Sequence, residues 1–545
     1  MGKKHRREPV DRAPVVGGLS VNKKKKVKAK AMKDAQKKAA AGGGASNSNG
    51  AGGYDPKRTL SKPAAPPPSY TASSTTHGGY ITPSHDEYDT CVARSYVGFR
   101  VDPPSILTDA LHADVADAFR VMTKRGMFTR DVLAAGKSVS PTFVSRTLVG
   151  ERGMTYHYQK LRIFALPWDD ELTPEGSPLR TVKRLNDAMK QRSRALLAKH
   201  ADPRVKVTGS CEFNVTLINL MEPERRESMA LKDEGQFGMA KASVSWHSDS
   251  SLQDTSTVAV YHQTAGGIDG DDNSWHIALK CLDNVTPALR VPLNSHSTYV
   301  RTVSNTQSIP NYHPIADQSP HVHSYYMMRD FNLHHHHAVL NGDTRRFSST
   351  HRVAVVAKDT FEYIQGKCTR ALLTLPLLKW YAGKAPKGWK VNKSTPPEPL
   401  SKILHVLGDA HREVEFQWLR MFWLQGTRHA SQHETYWAAR IEELTQAWDA
   451  MELGLRWACD ACRLATDGKA KTEPRAFEML RYLLETIAEC REEHDARCEA
   501  GAYAQVPEDC RPIDLPRFDD KSPLPRDLRP VLNTLELWRR KAFGR

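Results

Sequence analysis

Near residue 400 the spacing of apolar residues changes from short runs to a helical stripe. Between about 140 and 358 the apolar residues come in brief stretches broken by turns: Leu161 to Phe164, Phe213 to Leu220, Val258 to Tyr261, Trp275 to Leu282 and Val353 to Val356. Runs of that length bounded by turn residues predict strands of a β core. Beyond 400, Trp437, Ile441, Leu444, Trp448, Met451 and Leu455 advance by alternating steps of four and three, which lines one face of a long helix. Thr472 with Pro474 predicts a second helix start, continued by Phe477, Leu480, Leu484 and Ile487. Ile106, Leu107, Leu111, Val115, Phe119 and Met122 predict a helix ahead of the strands. A β core with flanking helices followed by a helical bundle is an α+β arrangement.

The chain has 545 residues, of which 39% are apolar and 11 are tryptophan. That excludes a wholly disordered protein, and a mean hydropathy of −0.56 without a long apolar run predicts no membrane span. No apolar stretch follows the charged N-terminus, so no secretory signal is expected, and Arg6 stands where a myristoylation start needs Ser or Thr. Nine cysteines, an odd and sparse count, predict a reduced intracellular protein. Cys459 and Cys462 form an isolated CxxC with no second pair, which argues for packing in the bundle over zinc. The formal charge of +16 is concentrated: residues 1–40 carry a net +11. Lys23 to Lys28 there suggests nuclear import or a non-specific hook for polyanions, against a solvated arm with no address. Residues 1–85, basic and then Gly- and Pro-rich, are expected to be a disordered tail. The Pro-, Ser-, His- and Asn-rich stretch at about 303–323 is expected to be a surface insertion.

One cluster of residues suggests chemistry. In Trp246-His247-Ser248-Asp249, an extended backbone sends His247 and Asp249 to the same side, where they could share one ion. A third ligand is available in the run His334 to His337, whose spacing does not choose among the four. Two histidines and one carboxylate leave open positions on a metal, the donor set suited to non-haem Fe(II) and oxygen. Arg346 and Arg352 lie six apart on a strand-like segment, hence on one face, and their forked guanidinia suit a dicarboxylate co-substrate. Taken alone, the histidine run could be a solvated loop and the arginines an edge-strand pair.

The stretch Val244 to Asp249 and the segment Arg346 to Val353 closely resemble the fat mass and obesity-associated (FTO) demethylase family, within the AlkB-like Fe(II)/2-oxoglutarate dioxygenases. The resemblance runs over roughly residues 90–545 and takes in Val144-Ser145-Arg146, Phe213-Asn214-Val215, Phe237-Gly238-Met239 and Glu415-Phe416 to Gly426. It implies a double-stranded β-helix (jelly-roll) catalytic domain over 86–358 with flanking helices, and an all-α helical-bundle domain over 359–545. It implies Fe(II) held by His247, Asp249 and His337, the last chosen because Ala338-Val339-Leu340 follows it. It implies 2-oxoglutarate on Asn219, Tyr325, Arg346, Ser348 and Arg352, with Tyr326 as the fallback for Tyr325, and O2 as the second co-substrate. The substrate base would stack on Tyr158, be read by Arg146, and be lined by Val244, Ser245 and the backbone of Ser250. The implied activity is oxidative demethylation of N-methylated bases in single-stranded RNA, or single-stranded DNA, with N6-methyladenine ahead of N3-methylated pyrimidines. A nuclear location, or one shared with the cytoplasm, goes with it. Ser250, Gln159 and Phe143 replace the glutamate, leucine and proline of animal relatives, and the loop Arg225 to Gly238 differs in sequence; these departures bear on base and strand preference. A catalytically silent RNA-binding module, and an oxygenase acting on protein or a small molecule, are the competing possibilities.

Overall fold

The computed structural model describes residues 80–96, 98–135, 138–158, 161–198, 211–223, 233–234, 239–240, 246–249, 252–253, 256–264, 275–282, 286–293, 324–327, 331–340, 342, 344–385, 398–469, 472–499, 501–513 and 522–544. Residues 1–79 of the expected tail and the 303–323 segment lie outside these residues, as does most of the 225–238 loop. Tyr80–Ile81, expected to belong to the disordered tail, instead form a buried strand because they pair with Ala288 and Leu289.

Sixteen strands are present among the described residues: β1 Tyr80–Ile81, β2 Phe99–Asp102, β3 Thr129–Ala135, β4 Ser138–Gly150, β5 Thr155–Tyr158, β6 Leu161–Phe164, β7 Leu166–Pro167, β8 Val215–Met221, β9 Asp233–Glu234, β10 Met239–Ala240, β11 Val258–Thr264, β12 His276–Cys281, β13 Ala288–Pro292, β14 Ser324–Met327, β15 His335–Leu340 and β16 Arg346–Arg352. The larger sheet runs β2-β14-β11-β16-β8-β4-β3, antiparallel along that path, with β7 parallel to β4. The smaller runs β1-β13-β12-β15. Neighbours so distant in sequence are the crossovers of a double-stranded β-helix. Val353 to Val356 does not form the expected strand. Pairing with β8 ends at Arg352, Ala354 keeps only an isolated bridge to Leu252, and the chain turns into a short helix at Val356–Asp359.

Alternation along the strands builds two layers of core. Val144, Met221, Val258 and Val260 of the larger sheet pack on Ile277, Leu279, Leu289, Val291 and Val339 of the smaller. The opposite face of the larger sheet, through Ile218, Leu220, Tyr261 and Phe347, is covered by α1 (Asp109–Lys124) and α2 (Pro178–Ala198). Thr108 caps α1 by accepting a hydrogen bond from the Leu111 amide at 3.3 Å.

Helices of the C-terminal part include α3 Phe361–Leu372, α4 Leu375–Tyr381, α5 Leu400–Glu413, α6 Trp437–Thr466, α7 Pro474–Cys498 and α8 Arg529–Phe543. The stripe from Trp437 to Leu455 is buried throughout, Pro474 opens α7, and Cys459 and Cys462 lie inside α6 within the bundle core. All nine cysteines are free. Among the described residues no helix is long and apolar enough to cross a membrane.

Candidate functional site

His247 joins β15 through an isolated antiparallel bridge to His337, each backbone N–H donating to the other's carbonyl at 3.0 and 2.9 Å. The bridge brings the two imidazole centroids to 4.2 Å. Asp249, two residues on, places a carboxylate oxygen 3.8 Å from His247 Nε2. The three side chains each offer one donor atom, all within 4.8 Å of one another. His337 Nδ1 is buried with no hydrogen-bond partner. Burial, then the nearby His247, pushes the His337 imidazole down to about 3, so it is the neutral ligand form at ordinary pH. Burial works against the Asp249 carboxylate, yet Arg352 and then the two histidines hold it below its usual range. Arg352 donates to Asp249 at 2.7 Å and to the Tyr156 hydroxyl at 2.7 Å.

The histidine run is sorted by strand alternation. His335 and His337 share the inner face of β15, while His336 is half-buried and His334 exposed. His335 is engaged elsewhere, stacked on Phe331 with centroids 4.0 Å apart and hydrogen-bonded to the carbonyls of Phe331 and Ser95. Of the run, His337 is the residue bridged to His247.

Cross-strand register aligns the expected co-substrate residues. Arg146 on β4 pairs with Asn219 on β8, Asn219 with Ser348 on β16, and Ser348 with His262 on β11. Arg346 and Arg352 share that face at the two ends of β16, about 20 Å apart at the backbone. Arg346 is fully buried. Its Nε–H donates to His262 Nδ1, its Nη1 lies 3.1 Å from Met221 Sδ, and its guanidinium sits over Trp275 at 5.3 Å. His262 Nε2 is 2.9 Å from the Leu293 carbonyl; donating there leaves Nδ1 as the acceptor Arg346 requires. Asn219 Oδ1 is buried without a hydrogen-bond partner. The register sets position 325 opposite Val260, on the same face as Ser348 and Arg352, and position 326 opposite Ala259 on the other face.

A third group adjoins these two. On β5, Tyr156 reaches Arg352, and Tyr158, two residues on along the same face, lies 5.8 Å from the Arg146 guanidinium carbon. Arg146 is buried and donates to Gln425 Oε1 at 3.2 Å. Thus β5 and the row through Asn219 connect the metal triad, the two arginines and the Arg146–Tyr158 pair. Val244, Ser245, Ser250 and Gln159 lie outside the described residues, as does the side chain of Phe143.

The profile of the FTO catalytic domain matches residues 86–305 and 316–355, and that of the FTO C-terminal domain matches 359–537. The chain belongs to the FTO family. It is 32% identical over 475 residues to the Alpha-ketoglutarate-dependent dioxygenase FTO of Xenopus laevis, an alignment covering 78% of this chain and 86% of that one. A crystal structure of a 2OG-Fe(II) oxygenase family oxidoreductase from Burkholderia pseudomallei aligns with 50% of this chain and 92% of its own, at 13% identity and a TM-score of 0.24. Membership makes the chain an FTO-type 2-oxoglutarate-dependent dioxygenase and implies Fe(II) with 2-oxoglutarate. The donor set fits that pair: a neutral buried imidazole with an unpartnered nitrogen, a second imidazole and an ionised carboxylate suit Fe(II), and the buried guanidinium of Arg346, which only donates, suits a carboxylate end of the co-substrate.

Sequence inspection of the FTO-like motifs missed three residues: Tyr156, His262 and Gln425. Their partners lie 196, 84 and 279 positions away, so no local pattern marks them. A second His/carboxylate group, His411, Glu415 and Glu452, is buried in the bundle. Arg491 bonds both carboxylates and Arg420 bonds Glu415, so cations already neutralise it, and it is a structural ion network.

Proposed function

We propose that the protein is an oxidative demethylase of N-methylated bases in single-stranded nucleic acid, with N6-methyladenine in RNA as its substrate. The observation that carries this proposal is the pair Arg146 and Tyr158, linked through β5 to Arg352 and Asp249. A half-buried aromatic ring beside a donor-only guanidinium suits a flat heterocycle, which stacks on the one and accepts hydrogen bonds from the other. A base held in duplex cannot enter such a pocket, which favours single strands.

His247, Asp249 and His337 would hold Fe(II). Arg346, with Ser348, Asn219 and Tyr325, would take one end of 2-oxoglutarate, and Arg352 the end nearer the metal. When bound, Fe(II) with 2-oxoglutarate and O2 supplies the oxidising power to hydroxylate an unactivated methyl group. Arg352 keeps Asp249 ionised and turned toward the histidines. Tyr156 fixes the other arm of Arg352. Tyr158 and Arg146 orient the base so that its N-methyl group points to the triad. A hydroxylated N-methyl group is a hemiaminal, which releases formaldehyde and leaves the free amine.

The net +11 of residues 1–40 supports a location in the nucleus, reached through the import machinery, and a weak grip on long RNA. Mass spectrometry after incubating a methylated single-stranded RNA oligonucleotide with Fe(II), 2-oxoglutarate and air should show loss of the methyl group matched by succinate and formaldehyde. Protein lacking residues 1–80 should act equally on that short strand and shift toward the cytoplasm in cells. An RNA that stays methylated while 2-oxoglutarate is consumed with a protein or metabolite would replace the proposed substrate.

A further inference from the structure

We propose that Gln425, in the C-terminal domain, is a positioning residue for base recognition, fixing Arg146 by accepting a hydrogen bond from it; this rests on the base-reading role proposed for Arg146. A glutamine amide can turn over and present either its oxygen or its nitrogen. Here the choice is forced. Gln425 Nε2 donates to the Arg162 carbonyl at 3.0 Å and to the Met421 carbonyl at 2.7 Å, which uses both N–H bonds. Only Oε1 remains, and it receives Arg146 Nη2 at 3.2 Å.

The backbone beneath is equally constrained. Gly426 has φ +89, and a Cβ there would meet the Asp509 carbonyl oxygen at 2.5 Å and the Cys510 backbone at 2.7 Å, so the turn after Gln425 has one geometry. Arg162, which anchors the amide, is itself buried against Trp418 at 4.2 Å on β6, the partner strand of Tyr158. A C-terminal side chain therefore couples both halves of the base pocket: it accepts from Arg146 directly and is tied to the hairpin that carries Tyr158. An arginine with several rotamers reads a base edge poorly, and one rotamer held by a fixed acceptor reads it well.

The test is binding of labelled methylated and unmethylated RNA oligonucleotides to the full chain under anaerobic conditions with Fe(II) and 2-oxoglutarate, so that nothing turns over. Gln425→Leu should cut the preference for the methylated strand about 5- to 10-fold, the scale of one ordinary intramolecular hydrogen bond. Gln425→Glu, which keeps an acceptor for Arg146 but loses both anchoring donors, should retain most of the preference. In an Arg146→Met background, Gln425→Leu should change nothing further. The assignment is overturned if Gln425→Leu leaves the preference intact, if Glu is as damaging as Leu, or if the Leu effect adds in full to Arg146→Met. Wild-type protein that shows no preference and no demethylation would overturn the substrate assignment and this one together. A preference lost in Arg146→Met but kept in Gln425→Leu would remove Gln425 alone.

Discussion

His335 and His337 are the same residue type on the same strand face, two positions apart, and have different work. His335 fills a slot between Phe331 and Ser95, while His337 is bridged to His247 and keeps a buried nitrogen without a partner. If the triad is the metal site, Mn(II) or Fe(II) should raise the thermal midpoint of the wild-type protein through linkage. That rise should vanish in His337→Ala and Asp249→Ala and survive in His335→Ala, whose own midpoint should be lower. Loss of the metal-induced rise in His335→Ala would shift the ligand by one strand repeat. The HxD motif and the paired arginines were legible in the sequence because a strand fixes which side each residue faces. The choice within the histidine run was not legible from spacing; the resemblance points to His337 through Ala338-Val339-Leu340, and what sets it apart from His335 is the long-range bridge to His247. His262 was invisible for the same reason, since nothing local says that a histidine 84 positions away will orient Arg346.

At the level of the element, β16 carries the site on one face and a polar peg on the other. His351, between Thr350 and Arg352, is fully buried against α2. Its Nδ1 lies 2.8 Å from Asn186 Oδ1 and 2.9 Å from Thr216 Oγ1, and its Nε2 lies 3.2 Å from Ser349 Oγ. The Asn186 amide donates to the Phe213 carbonyl at 3.1 Å, which turns its oxygen to the imidazole, so Nδ1 carries the proton. Burial pushes this imidazole down to about 3. Its neutral form therefore stabilises the fold fully above the ordinary histidine value of about 6.5. As pH falls from there towards 3, the unfolded chain takes up a proton that the native chain refuses, and stability drops by up to about 1.4 kcal/mol per pH unit from this group. His351→Gln should flatten the acid limb of a plot of denaturation free energy against pH, while costing stability at pH 7 through the imperfect replacement. An acid limb unchanged in slope would place the proton elsewhere. The strand itself was legible as the strand-like segment that carries Arg346 and Arg352. Its end was not, because Val353 to Val356 has strand composition and is diverted by pairing that stops at Arg352.

For the whole molecule, the catalytic domain contributes a side chain to the core of the helical domain. Phe164, at the end of the Tyr158 hairpin, is buried among Trp418, Phe422, His429 and Trp437, with ring centroids 5.0 to 6.1 Å away. Around it His433 Nε2 lies 2.9 Å from the Phe164 carbonyl, Trp437 Nε1 donates to Ala165 at 2.8 Å, and Arg162 Nε donates to Gln417 at 2.6 Å. The change of texture near residue 400 falls later than the change from strands to helices, since the last strand ends at Arg352 and α3 opens at Phe361. It says nothing of how the two parts pack, because periodicity reports which face of an element is apolar and not what covers it. With an aromatic plug from one domain completing the core of the other, and its polar rim hydrogen-bonded across, the pair should unfold together. Denaturant unfolding followed by tryptophan fluorescence and by far-ultraviolet circular dichroism should give coincident transitions. Phe164→Ala should lower stability by about 3–5 kcal/mol, the cost of emptying a buried aromatic site, and do so for both probes at once. It should also weaken recognition of a methylated strand, because the hairpin that it loosens holds Tyr158 at one end and the Arg162 anchor of Gln425 in its middle. Two separated transitions in the wild-type protein, or a Phe164→Ala variant in which only one signal moves, would mean that the domains fold independently and that the C-terminal bundle cannot fix the base pocket through this contact.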